Sequence, residues 1–403
     1  MNTASDSCGG YRIYDEKKMC TGCGACAQVC GRKALTMEYD DEGFLYPVKD
    51  DSLCSKCGLC RRRCHMLMER TANTDTLRVD AAYLPDLSQL NSVSSGGVFW
   101  ALAKYTIEQQ GVVYGVEHPS LFDVYHGRAE SLEQCVPFRR SKYLESNTRE
   151  TFRQVKADLK QGRQVLFTGT GCQVAGLYGF FGGKTYPNLV TAEVVCHGVP
   201  SMNVFKAYIS ELEVLRGKKV QEIIYRDKSR GWNRNCIRIC FTDGTSETDL
   251  SSTTPIHRGY LSGYYSRPSC GGCRYASLPR AADITLADYW QYKGGLTESN
   301  QNLGISLVVC SSEKGAAYME SMKHELLLES TSLKEAVDSC RHLSKPPMES
   351  LYRSEFLSRM KEKGFHDTFY RIRRKESVAR KIAKLNLFGK LIKKLRNRGK
   401  SYE

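Results

Sequence analysis

The sequence predicts an α+β chain in three parts: a small cysteine-rich module over residues 1–75, a larger mixed α/β domain over 76–345, and a basic helical tail over 346–403. Three observations predict it. Eight cysteines fall into two identically spaced runs between Cys20 and Cys64. From about Asp80 strand-like and helix-like stretches alternate, and after KPPMES the chain turns helical and basic.

At 403 residues the chain can build real cores, so its 18 cysteines are not needed as staples. The opening MNTASDSCGGYRIYDEKK has neither a cationic nor an apolar leader region, and no run of about 18 apolar residues occurs. The expectation is a cytoplasmic, reduced protein whose closely spaced cysteines bind metal. The formal charge is +15, but Arg371 to Glu403 holds thirteen Lys or Arg against two Glu. The body is only slightly basic, and without a nucleic-acid motif no nucleic-acid partner is expected.

The first element is CTGCGACAQVC, with Cys20, Cys23, Cys26 and Cys30 spaced C-x2-C-x2-C-x3-C; the run repeats in CSKCGLCRRRC at Cys54, Cys57, Cys60 and Cys64. Three thiolates on a tight loop hold three corners of a cubane, and the fourth comes from the other repeat. Crossed ligation follows: Cys20, Cys23, Cys26 and Cys64 on one 4Fe-4S cluster, Cys54, Cys57, Cys60 and Cys30 on the second. The linker ALTMEYDDEGFLYPV alternates as a hairpin should. A pair of zinc sites is the competing reading, for which this run is the wrong pattern. The segment resembles the bacterial two-cluster ferredoxin fold, with Gly31 and His65 standing where a proline usually follows the fourth cysteine.

In the larger domain SVSSGGVFWALAKYTIEQQGVVYGV runs from the turn Ser94–Gly97 into an apolar-periodic helix and a strand. Free amides at that helix start suit an anion; ordinary N-capping by serine is the alternative. QVLFTGTGCQVAGLYGF reads as a strand that turns at Gly169, Thr170 and Gly171 into a helix opening at Cys172. NLVTAEVV is a strand leading to Cys196, with His197 beside it. Strand C-terminal ends are where open α/β sheets place ligands. These two cysteines are the expected partners of Cys270 and Cys273 in SCGGC, closing a third, four-thiolate metal site. Cys236 and Cys240 flank a strand at about 13 Å, from about 3.3 Å per residue, too far apart for one compact cluster. Cys8, Cys135, Cys310 and Cys340 are isolated and read as ordinary thiols. Asp283 and Asp288 in ADITLADYW fit the apolar alternation poorly, so one of them is expected to turn inward to a structural hydrogen bond.

Together SSGGVFWALAKY, RRSKYLES, LFTGTGCQVAGL, VVCHGVPS, YRDKSRGW and RPSCGGCRY followed by ADITLADYW resemble the coenzyme F420 hydrogenase/dehydrogenase beta subunit family, with Gly171 in place of a usual proline. The resemblance implies a flavin, normally FAD, beside a 4Fe-4S cluster. A flavin is the group that joins two-electron to one-electron chemistry. Ser95, Gly96 and Gly97 are then candidates for its phosphates, Thr168, Gly169 and Thr170 for its ring or ribityl chain, and Lys142 and Tyr143 for the ring edge. Lys142 reads equally as a solvated loop lysine. His197, the other catalytic candidate, is either a proton relay or a neutral ring bonded to one backbone carbonyl. Arg226, Lys228, Arg230 and Arg280 resemble a cationic rim for an anionic substrate, with scattered surface charge the alternative.

In the tail, Val378, Ile382, Leu385, Phe388, Ile392 and Leu395 recur at helical spacing among Lys and Arg. Such a helix packs on its own domain, docks an acidic partner, or lies on an anionic membrane surface from the cytoplasmic side. The expected function is an iron-sulfur flavoprotein oxidoreductase that exchanges electrons with a redox carrier, a ferredoxin or a deazaflavin of the F420 kind. Related proteins also suggest a role in cell-surface polysaccharide synthesis. The second expectation is a non-catalytic electron-transfer subunit wiring a partner enzyme to such a carrier. No G-x-G-x-x-G fingerprint follows a strand, so nicotinamide use is not indicated.

Overall fold

The computed structural model describes residues 14–69, 73 and 75–399, with side chains described up to residue 382. The cysteine-rich module is built on the expected hairpin, in which β1 (Leu35–Tyr39) and β2 (Leu45–Lys49) pair antiparallel. Asp40 closes the turn by accepting the amides of Glu42 at 3.1 Å and Phe44 at 2.9 Å, the local bond that makes Asp a turn former. Short helices at Ala25–Val29 and Leu59–Arg62 carry the second halves of the two cysteine runs.

The larger domain contains β3 (Arg78–Tyr83), β4 (Val112–Ser120), β5 (Asp123–Ala129), β6 (Val165–Thr170) and β7 (Leu189–Val194). Then come β8 (Val220–Asp227), β9 (Cys236–Phe241), β10 (Ser246–Leu250), β11 (Ile284–Asp288), β12 (Ser306–Cys310) and β13 (Leu327–Ser330). Eight of these form one sheet in the order β13-β3-β12-β11-β7-β6-β4-β5. Its centre, β11, β7, β6 and β4, is parallel, and its flanks are antiparallel. The near-continuous apolar runs of the central strands follow from burial on both faces. Val112 and Tyr114 of β4 and Val165 and Phe167 of β6 pack on one side with helices Thr151–Lys160 and Gly171–Phe181. Val113 and Leu166, one residue out of phase, pack on the other with helix Val98–Glu108.

A smaller antiparallel sheet, β10-β9-β8, builds a second core with helix Met202–Arg216. The tail completes that core. Phe356 of helix Arg353–Lys363, and Phe365 and Ile372 of helix Phe365–Gly399, are each 0% exposed, so the tail begins as part of the fold. Beyond them Val378 and Ile382 are about half exposed, while the side chains of Leu385, Phe388, Ile392 and Leu395 lie outside the described residues. No described helix is long and apolar enough to cross a membrane.

The cysteine module is seated on the larger domain, not strung beside it. Gln28 accepts the Phe152 amide at 2.7 Å and donates to Thr148 at 3.0 Å, and Thr148 donates to the Cys23 carbonyl at 2.9 Å. Arg153 holds the Cys30 carbonyl at 3.0 Å, and Arg353 pairs with Glu42. Arg274 donates to the carbonyls of His65, Met66 and Met68. Buried polar groups satisfied across the seam make it specific as well as adhesive.

Candidate metal centres

The first loop and Cys64 come together. A cavity is lined by Cys20, Cys23, Cys26 and Cys64, the set that crossed ligation requires. Each thiol is held above its ordinary pKa by burial, Cys23 to about 12, and the Cys26 thiol also feels Cys23, Cys20 and Cys64 in turn. Buried, clustered thiols resist ionising alone. They become thiolates when a cation replaces the protons, so folding and metal uptake are coupled here. In the second set Cys57 is exposed, with its thiol lowered by the Leu59 amide and the Ser55 hydroxyl, and Cys30 accepts the Ala34 amide at 3.4 Å. The crossing of Cys30 to that set is carried by the repeat, not by a contact.

The four thiols expected for the third site also converge. Cys172 opens the helix that follows β6, and Cys196 lies two residues beyond β7, the parallel neighbour of β6. Cys270 sits on the turn of helix Pro268–Gly271, which precedes β11 on the other side of β7, and Cys273 follows it. The Cys172 thiol is pushed up by burial first and then by Cys273, with Cys196 and Cys270 also acting on it. Burial raises Cys196 to about 11 and Cys270 to about 12. Two sulfurs already accept backbone amides, Cys196 from Gly198 at 3.3 Å and Cys270 from Val199 at 3.3 Å. Such N–H···S bonds favour the thiolate, and a soft four-thiol set fits a 4Fe-4S cluster. Among the described residues no three His, Cys, Asp or Glu side chains close round a single ion; a cubane spreads its thiolates over four irons and asks for a wider set.

The first and third sites are neighbours. Gly176 stands one helical turn after Cys172, and a Cβ there would lie 2.9 Å from both Cβ and Sγ of Cys23. Tyr275, two residues past Cys273, feels the charges of both Cys172 and Cys23. Its hydroxyl meets His65 Nδ1, whose Nε2 lies 3.1 Å from the Thr21 hydroxyl in the first loop. Sequence reasoning missed Gly176 and Tyr275 and noted His65 only as a replaced proline; their one signal was nearness to predicted ligands. Gly171 has a local reason too, since a Cβ there would stand 2.4 Å from Glu193 Oε2. Proline's ring would meet that carboxylate.

The residues assigned to flavin are spread and largely engaged. Gly96 donates its amide to Ser306 Oγ at 2.9 Å, the Ser95 hydroxyl donates to the Ile305 carbonyl at 3.0 Å, and Lys228 holds the Ser95 carbonyl at 3.0 Å. Gly97 is buried at the start of its helix. Thr168 donates to the Tyr114 carbonyl at 2.9 Å, and its own carbonyl meets His126. Thr170 caps the Cys172 helix, its hydroxyl 3.2 Å from the Cys172 sulfur, with Gly169 against Gln173. Tyr143 joins an aromatic group with Tyr225, His257 and Tyr260.

Lys142 turns its ammonium back onto the carbonyls of Pro137 at 2.7 Å and Arg139 at 2.5 Å, and burial with the Arg140 charge pushes it down to about 7. His197 meets the Leu261 carbonyl at 3.3 Å, and burial beside His342 lowers it to about 4. The expected cationic rim is corrected at three of its four residues: Arg226 is buried on Asp288, Lys228 on the Leu90 and Ser95 carbonyls, and Arg280 on Glu193 at 2.5 Å, while Arg230 is exposed. Those three charges are interior because each has a partner that repays desolvation. Asp283 and Asp288 are both engaged, Asp283 with the Thr191 amide at 2.8 Å. Cys135, Cys236 and Cys310 are buried thiols, Cys240 and Cys340 are half-buried, and Cys8 lies outside the described residues.

Residues 19–66 match the model for a 4Fe-4S dicluster domain, and residues 162–336 that for the C terminus of the coenzyme F420 hydrogenase/dehydrogenase beta subunit. Among curated proteins none matches the chain. A solved chain of the F420-reducing nickel-iron hydrogenase complex from Methanosarcina barkeri is 17% identical, with a TM-score of 0.44; the match covers 76% of this chain and 94% of that one. The protein therefore joins an N-terminal 4Fe-4S dicluster domain to the C-terminal domain of the F420 hydrogenase/dehydrogenase beta subunit family. The second match spans Cys172, Cys196, Cys270 and Cys273.

Proposed function

Since the chain joins a dicluster domain to the C-terminal domain of the beta subunit family, we propose that it is an iron-sulfur electron-transfer protein with three 4Fe-4S clusters, relaying single electrons between a ferredoxin-type carrier and a partner oxidoreductase. One observation carries this reading: the Cys172, Cys196, Cys270 and Cys273 thiols converge, and Gly176, one helical turn after Cys172, packs against Cys23. Sequential clusters in adjoining, water-poor sites are what one-electron transfer asks for.

The residues have separable tasks. Cys20, Cys23, Cys26 and Cys64 hold the cluster nearest the larger domain; Cys54, Cys57, Cys60 and Cys30 hold the one on the exposed side, where Cys57 meets solvent. The Gly198 and Val199 amides steady the sulfurs of Cys196 and Cys270. A flavin, as FAD, would supply the exchange between one- and two-electron chemistry, including with a deazaflavin. The Ser95 hydroxyl and Gly96 amide meant for its phosphates are already spent within the protein, so no step is assigned to it. The flavoprotein-enzyme reading, and any link to polysaccharide synthesis, is supported by resemblance only. The basic tail helix is a candidate contact for an anionic membrane or an acidic partner.

The test is iron and sulfide content of full-length protein prepared without oxygen. About twelve irons per chain are expected, falling to about eight in Cys172→Ala and in Cys273→Ala. Cys236→Ala should keep them all. Full iron in the first two variants would remove the third cluster and with it the relay.

A further inference from the structure

Arg267 belongs to two cysteine sites at once. Its backbone is part of the third: the amide donates to the Val199 carbonyl at 2.8 Å, the carbonyl accepts the Cys270 amide at 3.0 Å, and Val199 in turn donates to the Cys270 sulfur. Its side chain reaches the first. Nε donates to the Cys20 carbonyl at 2.9 Å, Nη2 donates to the Leu45 carbonyl, and the guanidinium lies 4.4 Å from the Tyr46 ring centre. Nη1 faces both oxygens of Glu145 at 3.2 Å. The Arg267 side chain is 0% and that of Glu145 6% exposed, so neither water nor salt screens the pair. The first loop is moulded to them, since a Cβ on Gly22 would stand 2.3 Å from Glu145 Oε1 and 2.8 Å from Arg267 Nη2.

We propose that Arg267 is a positioning residue shared by the first and third cysteine sites, and that it and Glu145, as opposed fixed charges, set the reduction potentials of both sites together. This rests on the reading that both sites hold 4Fe-4S clusters. A cluster gains negative charge on reduction, so a nearby unscreened cation favours the reduced form and a nearby carboxylate opposes it. Of the other buried arginines, Arg226 pairs with Asp288, Arg280 with Glu193 lies against β7 and the Cys196 end of the third site, and Arg353 with Glu42 holds the hairpin turn. Among the described residues only Arg267 grips the first loop while its own backbone forms part of the third site.

Opposite signs distinguish this from a merely structural role. Redox titration of full-length protein, followed by electron paramagnetic resonance, should show Glu145→Gln raising the potentials of the first and third sites. Arg267→Gln should lower both, Arg267→Lys should fall between Arg267→Gln and wild type, and the Cys54 set should stay unmoved. Glu145→Gln and Arg267→Gln shifting the same way would overturn the proposal, as would a Cys54-set shift as large as the others. Should Arg267→Gln fail to fold, Glu145→Gln and Arg267→Lys still decide it, because unchanged potentials in Glu145→Gln refute it. Three cluster signals that do not move remove this inference alone; a wild type with no iron signal dependent on Cys172 removes the three-cluster reading as well.

Discussion

Substituting Gly176 tests the junction between the first and third sites directly. In an ordinary helix interior, glycine to alanine gains about 1 kcal/mol. Here the added Cβ would lie 2.9 Å from Cys23 Cβ and Sγ, short of the roughly 3.5–4.0 Å of normal carbon contact. Cys23 cannot retreat if its sulfur is bound to iron, and the helix carrying Gly176 is buried on Phe152 and Phe167. Overpacking of this kind costs about 1–3 kcal/mol, so Gly176→Ala should be between neutral and about 2 kcal/mol destabilised. Gly176→Val adds two further carbons and lower helix propensity, and should expel Cys23 from its position. The assay is iron content with anaerobic thermal unfolding. Gly176→Ala should retain about twelve irons, while Gly176→Val should lose about four, all from the signal that depends on Cys20. Gly176→Val with full iron, an unchanged melting temperature and unchanged potentials would refute the packing of Cys23 on this helix.

Three further outcomes are expected. Cys30→Ser should disturb the spectroscopic signal of the Cys54, Cys57 and Cys60 set and spare that of Cys20; a change confined to the Cys20 signal would show that ligation is not crossed. Burial lowers His126 from 6.5 to about 4, its ring bonded to the Thr168 carbonyl and stacked on Phe167. The unfolded chain then binds a proton that the fold does not, so stability present above about 6.5 should be lost as pH falls toward about 4, by ~3 kcal/mol. His126→Gln should flatten denaturant-measured stability over that window, and an equally steep slope in the variant would count against it. A chain ending after Ile382 keeps Phe356, Phe365 and Ile372 in the core and should keep its iron, while losing retention on vesicles rich in anionic lipid; equal retention of both chains would clear the tail of that role.

What the sequence determined alone is what neighbouring residues can enforce. The spacing of Cys20 to Cys30 and Cys54 to Cys64 is itself a geometry, because a tight loop must present its thiols together, and the hairpin between them is set by a turn that Asp40 closes within four residues. Cys172 and Cys196 were legible for a similar reason: each follows an apolar strand, and adjacent parallel strands deliver their C-terminal ends to one edge. The charges were not legible. Arg226 and Asp288 are 62 residues apart, Arg280 and Glu193 are 87 apart, and side chains that look like a surface rim become interior once a distant partner neutralises them. Nor could the flavin turn be judged in advance, since the groups that occupy Ser95 and Gly96 come from 210 residues away. Tertiary structure alone decided that Arg267 meets Cys20 across 247 residues and that Cys23 rests on Gly176. Such contacts have no local signature, because they arise only when separate elements pack and each buried polar group must find a partner wherever the fold supplies one.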